Sequence, residues 1–186
     1  MAAFILAFAT VFVVSLGGRD QLLVARLADR LGKSGSLLAV GILASTVSAL
    51  AMAAAGLAMA LVLPPSAADM LVAFGLISAA IELAWQSKSR LPEEPTLSLF
   101  ATFVVLLARQ LFDAARFCVF AFAAGGGSAW LAGGGGALGG AAALALGIAL
   151  GERMARLRLR AIRLTLAVAF FVIGIALALM ARGIIG

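Results

Sequence analysis

Long apolar runs, each about the length of a membrane span, dominate this sequence of 186 residues. Short polar breaks separate them, and 65% of the residues are hydrophobic whereas 12% are charged. A soluble domain has about 45–50% apolar and about 25% charged residues. A globule of this size has too little interior to hide the additional apolar surface, and runs of about 20 apolar residues are typical of membrane-spanning helices. The sequence therefore predicts an all-α integral membrane protein.

Six transmembrane helices are predicted from these runs. Their approximate bounds are residues 3–31, 36–62, 67–86, 98–124, 128–151 and 162–182. Glycine, proline and polar residues occupy the breaks between them, as expected of loops. The longest polar segment, QSKSRLPEEPT, divides the chain into a first three-helix repeat (1–86), a cytoplasmic linker (87–97) and a second three-helix repeat (98–186).

The basic residues of the loops predict the orientation in the membrane. The first, third and fifth loops contain lysine or arginine, whereas the second and fourth contain none. Because positive residues favour the cytoplasmic side, the odd loops are predicted inside and both termini outside the cytoplasm. The net charge of +6 is explained by these loops, so no nucleic acid is expected as a partner.

The two halves of the chain resemble each other at a shift of 95 residues. Phe8 then corresponds to Phe103, Leu16 to Leu111 and Gly41 to Gly136. A polar interruption recurs at the same place in each half. Since each half has an odd number of spans, the second is predicted to be inverted relative to the first, the architecture of many secondary transporters.

Two clusters of polar side chains interrupt the apolar runs. The first contains Arg19, Asp20 and Gln21; the second contains Arg109, Gln110, Asp113 and Arg116. On a continuous helix Asp113 would pair with Arg109 or Arg116 on one face, whereas Asp20 would find a partner on another helix. A charge at the bilayer centre costs about 2.5–3.5 kcal/mol. The clusters are therefore either a transport pathway or structural ion pairs, and both interpretations stay open.

Other polar groups receive simpler interpretations. Glu82 is predicted to be solvated at the cytoplasmic end of its span, and Ser45 and Ser48 to bond to their own helix backbone. No enzyme is predicted, because the chain has no histidine and a single Cys118, so no Ser–His or Cys–His nucleophile can form. No cofactor is expected.

The segment SLGGRDQ, together with RQLFDAAR one repeat later, resembles the motifs of the Gdt family of cation exchangers, to which a Golgi manganese transporter is related. That family has two inverted three-helix repeats, each opening with Glu-x-Gly-Asp-(Lys/Arg)-(Thr/Ser). Gly17, Arg19 and Gln21 match the first motif, and Asp113 matches the second. Ser15 and Gln110 stand where the family has glutamate, and Asp20 stands at the hydroxyl position.

The resemblance implies exchange of a divalent cation, Mn²⁺ or Ca²⁺, for protons. Asp113 would then be the metal-binding residue, with Asp20, Gln110, Ser15 and Gln21 as further oxygen donors along the pathway. Arg19, Arg109 and Arg116 are the candidates for charge pairs. Their positive charges oppose a divalent cation at the same site.

Two alternatives to cation exchange follow from the arginines. In one, Arg–Asp pairs have replaced the cation site and the chain is a family member that does not transport. In the other, the chain exports an anionic or zwitterionic solute. The predicted partners are the lipid bilayer, a divalent metal ion as substrate and a second copy of the chain, and the predicted location is a bacterial inner membrane.

Overall fold

A computed structural model describes residues 1–31, 35–85, 98–125, 128–151, 153 and 159–185. In these ranges the chain is helical and contains no strand. The helices are α1 (Ala2–Ser15), α2 (Arg19–Leu31), α3 (Gly35–Ala60), α4 (Pro65–Ala84), α5 (Leu99–Leu111), α6 (Ala114–Ala124), α7 (Ala129–Leu150) and α8 (Leu159–Ala181). The predicted linker 87–97 lies outside the described residues, as does most of the basic loop before α8.

Four helices are long and apolar enough to cross a membrane: α3, α4, α7 and α8. Helices α1 and α2 are together long and apolar enough to make a fifth candidate, although their axes differ by 64°, so they would form one bent span. The predicted fourth span is divided into α5 and α6, of 13 and 11 residues, each shorter than the roughly 20 residues that a bilayer requires. A continuous helix over 98–124 was therefore a wrong prediction.

The helices of the second half begin at positions that match those of the first half. Helices α2 and α6 begin 95 residues apart, and α3 and α7, like α4 and α8, begin 94 residues apart. Each half thus consists of a helix interrupted near its middle, a long helix and a further long helix, in that order.

The interrupted helix of each half packs on the long central helix of the other half. Helices α1 and α2 lie against α7, whereas α5 and α6 lie against α3. Helices α3 and α7 pack on each other, and α4 pairs with α8. Small residues on α7 permit this close packing: a Cβ at Gly135 or Gly139 would meet main-chain oxygens of α1 at 2.2 and 2.5 Å. Backbones that approach so closely are typical of helix packing in membranes.

Candidate functional site

The first helix interruption separates α1 from α2 at residues 16–18. Gly17 has a φ of +66°, a left-handed conformation that favours glycine, so the chain turns here and α2 departs at a new angle. The side chain of Gln21 stabilises the turn, since its Oε1 accepts a hydrogen bond from the Gly17 amide at 2.7 Å. Its Nε2 donates to the Ala143 carbonyl of α7 at 2.6 Å. Gln21 is therefore fully engaged with the backbone.

The second helix interruption separates α5 from α6 at residues 112–113. No glycine or proline marks it; instead Asp113 is the N-cap of α6, and its Oδ1 accepts from the Ala115 amide at 3.0 Å. Aspartate is among the preferred N-cap residues because it satisfies an amide that has no partner inside the helix. The Arg109–Asp113 pair expected on a continuous helix is thus not formed, since the helix ends between these residues.

A second carboxyl group reaches the same helix N-terminus. Glu82, in the last turn of α4, accepts from the Ala114 amide through Oε2 at 2.9 Å, so its carboxyl group shares the start of α6 with that of Asp113. The partial positive charge of a helix N-terminus favours such carboxylates. The prediction that Glu82 is merely solvated was wrong, because this side chain joins α4 to the second interruption.

One ion pair connects the two interruptions. Arg109 Nε lies 2.9 Å from Asp20 Oδ1, and the side chains are 33% and 17% exposed. Asp20 stands in the first turn of α2 and Arg109 in the last turn of α5, so each charge also has the sign that its helix end favours. Asp20 accordingly finds its partner on another helix, as predicted from the sequence.

Arg116 is buried among neutral hydrogen-bond acceptors, with 2% of its surface exposed. Its Nε donates to Ser48 Oγ at 2.8 Å, and its Nη2 to Ser45 Oγ at 2.9 Å and Gln110 Oε1 at 3.1 Å. Ser48 Oγ also contacts Gln110 Oε1 at 2.8 Å. A buried charge requires such a set of partners. Arg116 was predicted as a charge-pair residue, but its hydrogen bonds are accepted by hydroxyl, amide and main-chain oxygens of α3, α5 and α7.

The absence of a side chain at Gly140 of α7 provides the space that Arg116 occupies. A Cβ at this position would lie 2.5 Å from Ser45 Oγ and 2.6 Å from Arg116 Nη2, distances that no real side chain tolerates. Interhelical packing alone was predicted for the glycines of α7. At Gly140 the small residue also makes room for a guanidinium group beside the cavity.

A cavity of about 970 Å³ lies between the two interruptions. All eight residues predicted to form a site line it: Ser15, Arg19, Asp20, Gln21, Arg109, Gln110, Asp113 and Arg116. The structure thus brings together two clusters that are about 90 residues apart in the sequence. Glu82 and Gly140 also line it. Its charged side chains are three arginines and three carboxyl groups, so the wall is balanced in formal charge.

Four residues of this region were not predicted to belong to it: Ser45, Ser48, Glu82 and Gly140. Ser48 does bond to its own helix, donating to the Ser45 carbonyl at 3.1 Å, but Ser45 Oγ donates to the Ala137 carbonyl of α7 at 2.8 Å. The sequence signal for Glu82 is a carboxyl group in the last turn of an apolar span. The contacts of both serines depend on which helices pack together, and no local pattern reveals that.

Comparison of the chain with protein-family models, with curated proteins and with solved structures finds no match. The resemblance of its two motifs to the Gdt family therefore stays a prediction from the sequence.

The groups in the cavity favour hydrogen bonding and charge recognition over tight metal coordination. Within the described ranges, no three or more acidic, histidine or cysteine side chains are grouped closely enough to hold a metal ion. Hard divalent ions prefer several carboxylate and carbonyl oxygens. Here Gln21 Oε1 is taken by a main-chain amide and Gln110 Oε1 by Arg116 and Ser48. The oxygens of Glu82 and Asp113 are the nearest approach to a cation site.

Proposed function

We propose that this chain is a multi-pass membrane transporter that carries a small charged solute through the cavity between its two helix interruptions. One observation carries the proposal: interruptions at equivalent places in the two halves line a common cavity whose wall has six charged side chains. Charged residues within spans are expensive and mark solute pathways by default. Interrupted helices of this kind form the midplane substrate sites of secondary transporters.

The order of the helices supports an inverted-repeat transporter with six spans. In this proposal α1 with α2, and α5 with α6, are each one bent span, which gives three spans per half. Each bent span packs on the central helix of the opposite half. Such reciprocal packing is expected where two related halves face each other across a substrate site. The charges of the loops favour an orientation with both termini outside the cytoplasm. The proposed location is a bacterial inner membrane.

The charges of the cavity favour a solute that has both signs of charge. Arg109 forms its ion pair with Asp20, and Arg19 and Arg116 line the same cavity. Glu82 and Asp113 both accept hydrogen bonds from main-chain amides at the start of α6. A zwitterion of amino-acid size can present its carboxylate to the arginines and its ammonium to these two carboxyl groups without leaving a net charge in the membrane.

Exchange of a divalent cation for protons is the second candidate function. The Glu82 and Asp113 carboxyl groups favour it, because both accept from amides at the start of α6 and two neighbouring carboxyl groups stabilise a cation or a shared proton between them. The three arginines of the cavity oppose it, since they leave no net negative charge to balance two positive charges on the ion.

Flux into proteoliposomes distinguishes these functions. Purified protein is reconstituted and tested with radiolabelled amino acids, and in parallel with Mn²⁺ and Ca²⁺ against an internal metal-sensitive dye, each with and without a pH gradient. We expect amino-acid flux that requires Asp113 and Arg109. Metal flux that D113N abolishes would instead establish the second candidate. D69N is the matched control, because Asp69 lies near the start of α4, away from the cavity.

An absence of both fluxes from folded, reconstituted protein would contradict the proposal. It would favour the alternative in which the ion pair of Asp20 with Arg109 replaces the cation site and the chain does not transport.

A further inference from the structure

Arg163 of α8 donates hydrogen bonds to the main chain of two separate elements. Its Nη2 donates to the Glu82 carbonyl at 3.1 Å and its Nε to the Leu83 carbonyl at 3.3 Å, both in the last turn of α4. Its Nη1 donates to the Leu16 carbonyl, which lies in the first helix interruption. All three carbonyls lie at the C-terminal ends of helices, where a cation is favourable. One guanidinium group thus joins α4 and α8 to the first interruption.

The side chain of Glu82 continues this connection to the second interruption. Its main-chain carbonyl accepts a hydrogen bond from Arg163, while its Oε2 accepts one from the Ala114 amide at the start of α6. The two helix interruptions are therefore joined by a continuous set of hydrogen bonds, from Leu16 through Arg163 and Glu82 to Ala114. Helix α8 also lies close to the first interruption. A Cβ at Gly17 would be 3.1 Å from the Leu159 side chain and 3.6 Å from that of Arg163.

We infer that Arg163 and Glu82 form a bridge that holds the two helix interruptions together and closes the cavity on its α4 side. Arg163 is a positioning residue in this arrangement: it is not a cavity-lining group and acts through the main chain of residues that are. The role of this bridge rests on the proposed function, because a solute site that opens and closes needs a contact that breaks as the interruptions move. The contact itself exists whether or not a solute crosses.

The planar shape of the guanidinium group is what the bridge requires. Three donors that point in fixed, different directions reach three carbonyls on two elements at once. Lysine has the same charge but a single nitrogen atom, which cannot occupy three such places. A role that needs only positive charge would accept lysine, so R163K separates the two possibilities.

The rate at which a water-soluble thiol reagent labels S78C measures the closure of the cavity directly. Ser78 lines the cavity one helical turn before Glu82, on the same face of α4. Labelling is done in native membranes in a C118A background, since Cys118 is the only native thiol. The variants are R163Q, R163K and E82A, with R182Q as the matched control because Arg182 is an exposed arginine just beyond the other end of α8.

We expect R163Q and R163K to raise the labelling rate on the order of tenfold, which corresponds to about 1.4 kcal/mol. E82A should raise it in the same direction, and R163Q with E82A should raise it no further than either alone, because both remove one bridge. R182Q should leave it unchanged. Labelling that is unchanged or slower in R163Q, or that R163K restores to the wild-type rate, would overturn the inference. Because labelling needs no transported solute, a protein inactive in the flux assay still tests the bridge.

Discussion

Asp20 and Arg109 form a 2.9 Å ion pair that joins the first turn of α2 to the last turn of α5. The pair connects the two helix interruptions on the cavity side, and Glu82 with Arg163 connects them again on the α4 side. The two interruptions are thus held at two places, by a contact between opposite charges and by a set of hydrogen bonds to main-chain groups.

Exchange of the two charges should recover only part of the stability lost on removing one of them. D20A and R109A should show a coupling of about 0.5–1 kcal/mol in a double-mutant cycle, a modest value because both side chains are partly exposed. D20R with R109D restores the attraction but places each charge at the helix end that disfavours it. Thermal unfolding in detergent compares D20A, R109A, D20A with R109A and D20R with R109D, and full recovery of wild-type stability in the last of these would contradict the helix-end argument.

Replacement of Arg116 by methionine should leave the fold intact. Its acceptors retain partners without it, because Ser45 Oγ donates to the Ala137 carbonyl and Ser48 Oγ contacts Gln110 Oε1. A buried charge replaced by an apolar side chain of similar volume is often neutral or stabilising, so R116M should unfold within about 1 kcal/mol of the wild type. Loss of flux in this stable variant would assign Arg116 to the solute pathway. Unfolding of R116M would instead make the guanidinium group essential to the fold.

Alanine at Gly140 should destabilise the protein, whereas alanine at Gly134 should not. A Cβ at Gly140 overlaps Ser45 and Arg116, and overpacking of this kind costs about 1–3 kcal/mol. At Gly134 the nearest atoms, in the Phe4 ring, are 3.9 Å away, so G134A is the matched control on the same helix and should gain about 0.5–1 kcal/mol from the higher helix propensity of alanine. Equal stabilities of G140A and G134A would show that Arg116 adjusts without cost.

The stability and the transport roles of Asp113 should separate in a series of substitutions. D113A removes the N-cap of α6 and should cost about 1 kcal/mol, whereas D113N and D113S keep an oxygen that caps the Ala115 amide and should cost less. Flux should be lost in all three, because none retains the carboxyl group that shares the start of α6 with Glu82. Chemical unfolding and flux are measured on the same preparations. Normal flux in D113N would assign Asp113 a structural role alone.

The positions of the helices could be predicted from the sequence because apolar runs and their polar breaks are local signals. The same argument located the two polar clusters and their correspondence at a shift of 95 residues. It did not predict that α5 ends at Leu111, because no glycine or proline marks that place and Asp113 is recognisable as an N-cap only once a helix end is suspected.

The partners within the site could not be predicted, because they depend on packing between distant helices. Glu82 reaches a main-chain amide 32 residues away, and Arg116 reaches hydroxyl groups of Ser45 and Ser48 about 70 residues away. Which of two nearby carboxylates Arg109 contacts is likewise set by where α5 ends. Residue type and spacing indicate that such groups need partners, whereas only the packed structure identifies them.

The packing of each interrupted helix on the opposite half has a consequence for synthesis of the chain. Gln21 donates to a carbonyl 122 residues further along, on a helix that the ribosome has not yet made when α1 and α2 enter the bilayer. Asp20 and Gln21 therefore lack these two partners until α5 and α7 have been made. The first half of the chain cannot complete its polar contacts before the second half is present, so the two halves must assemble together.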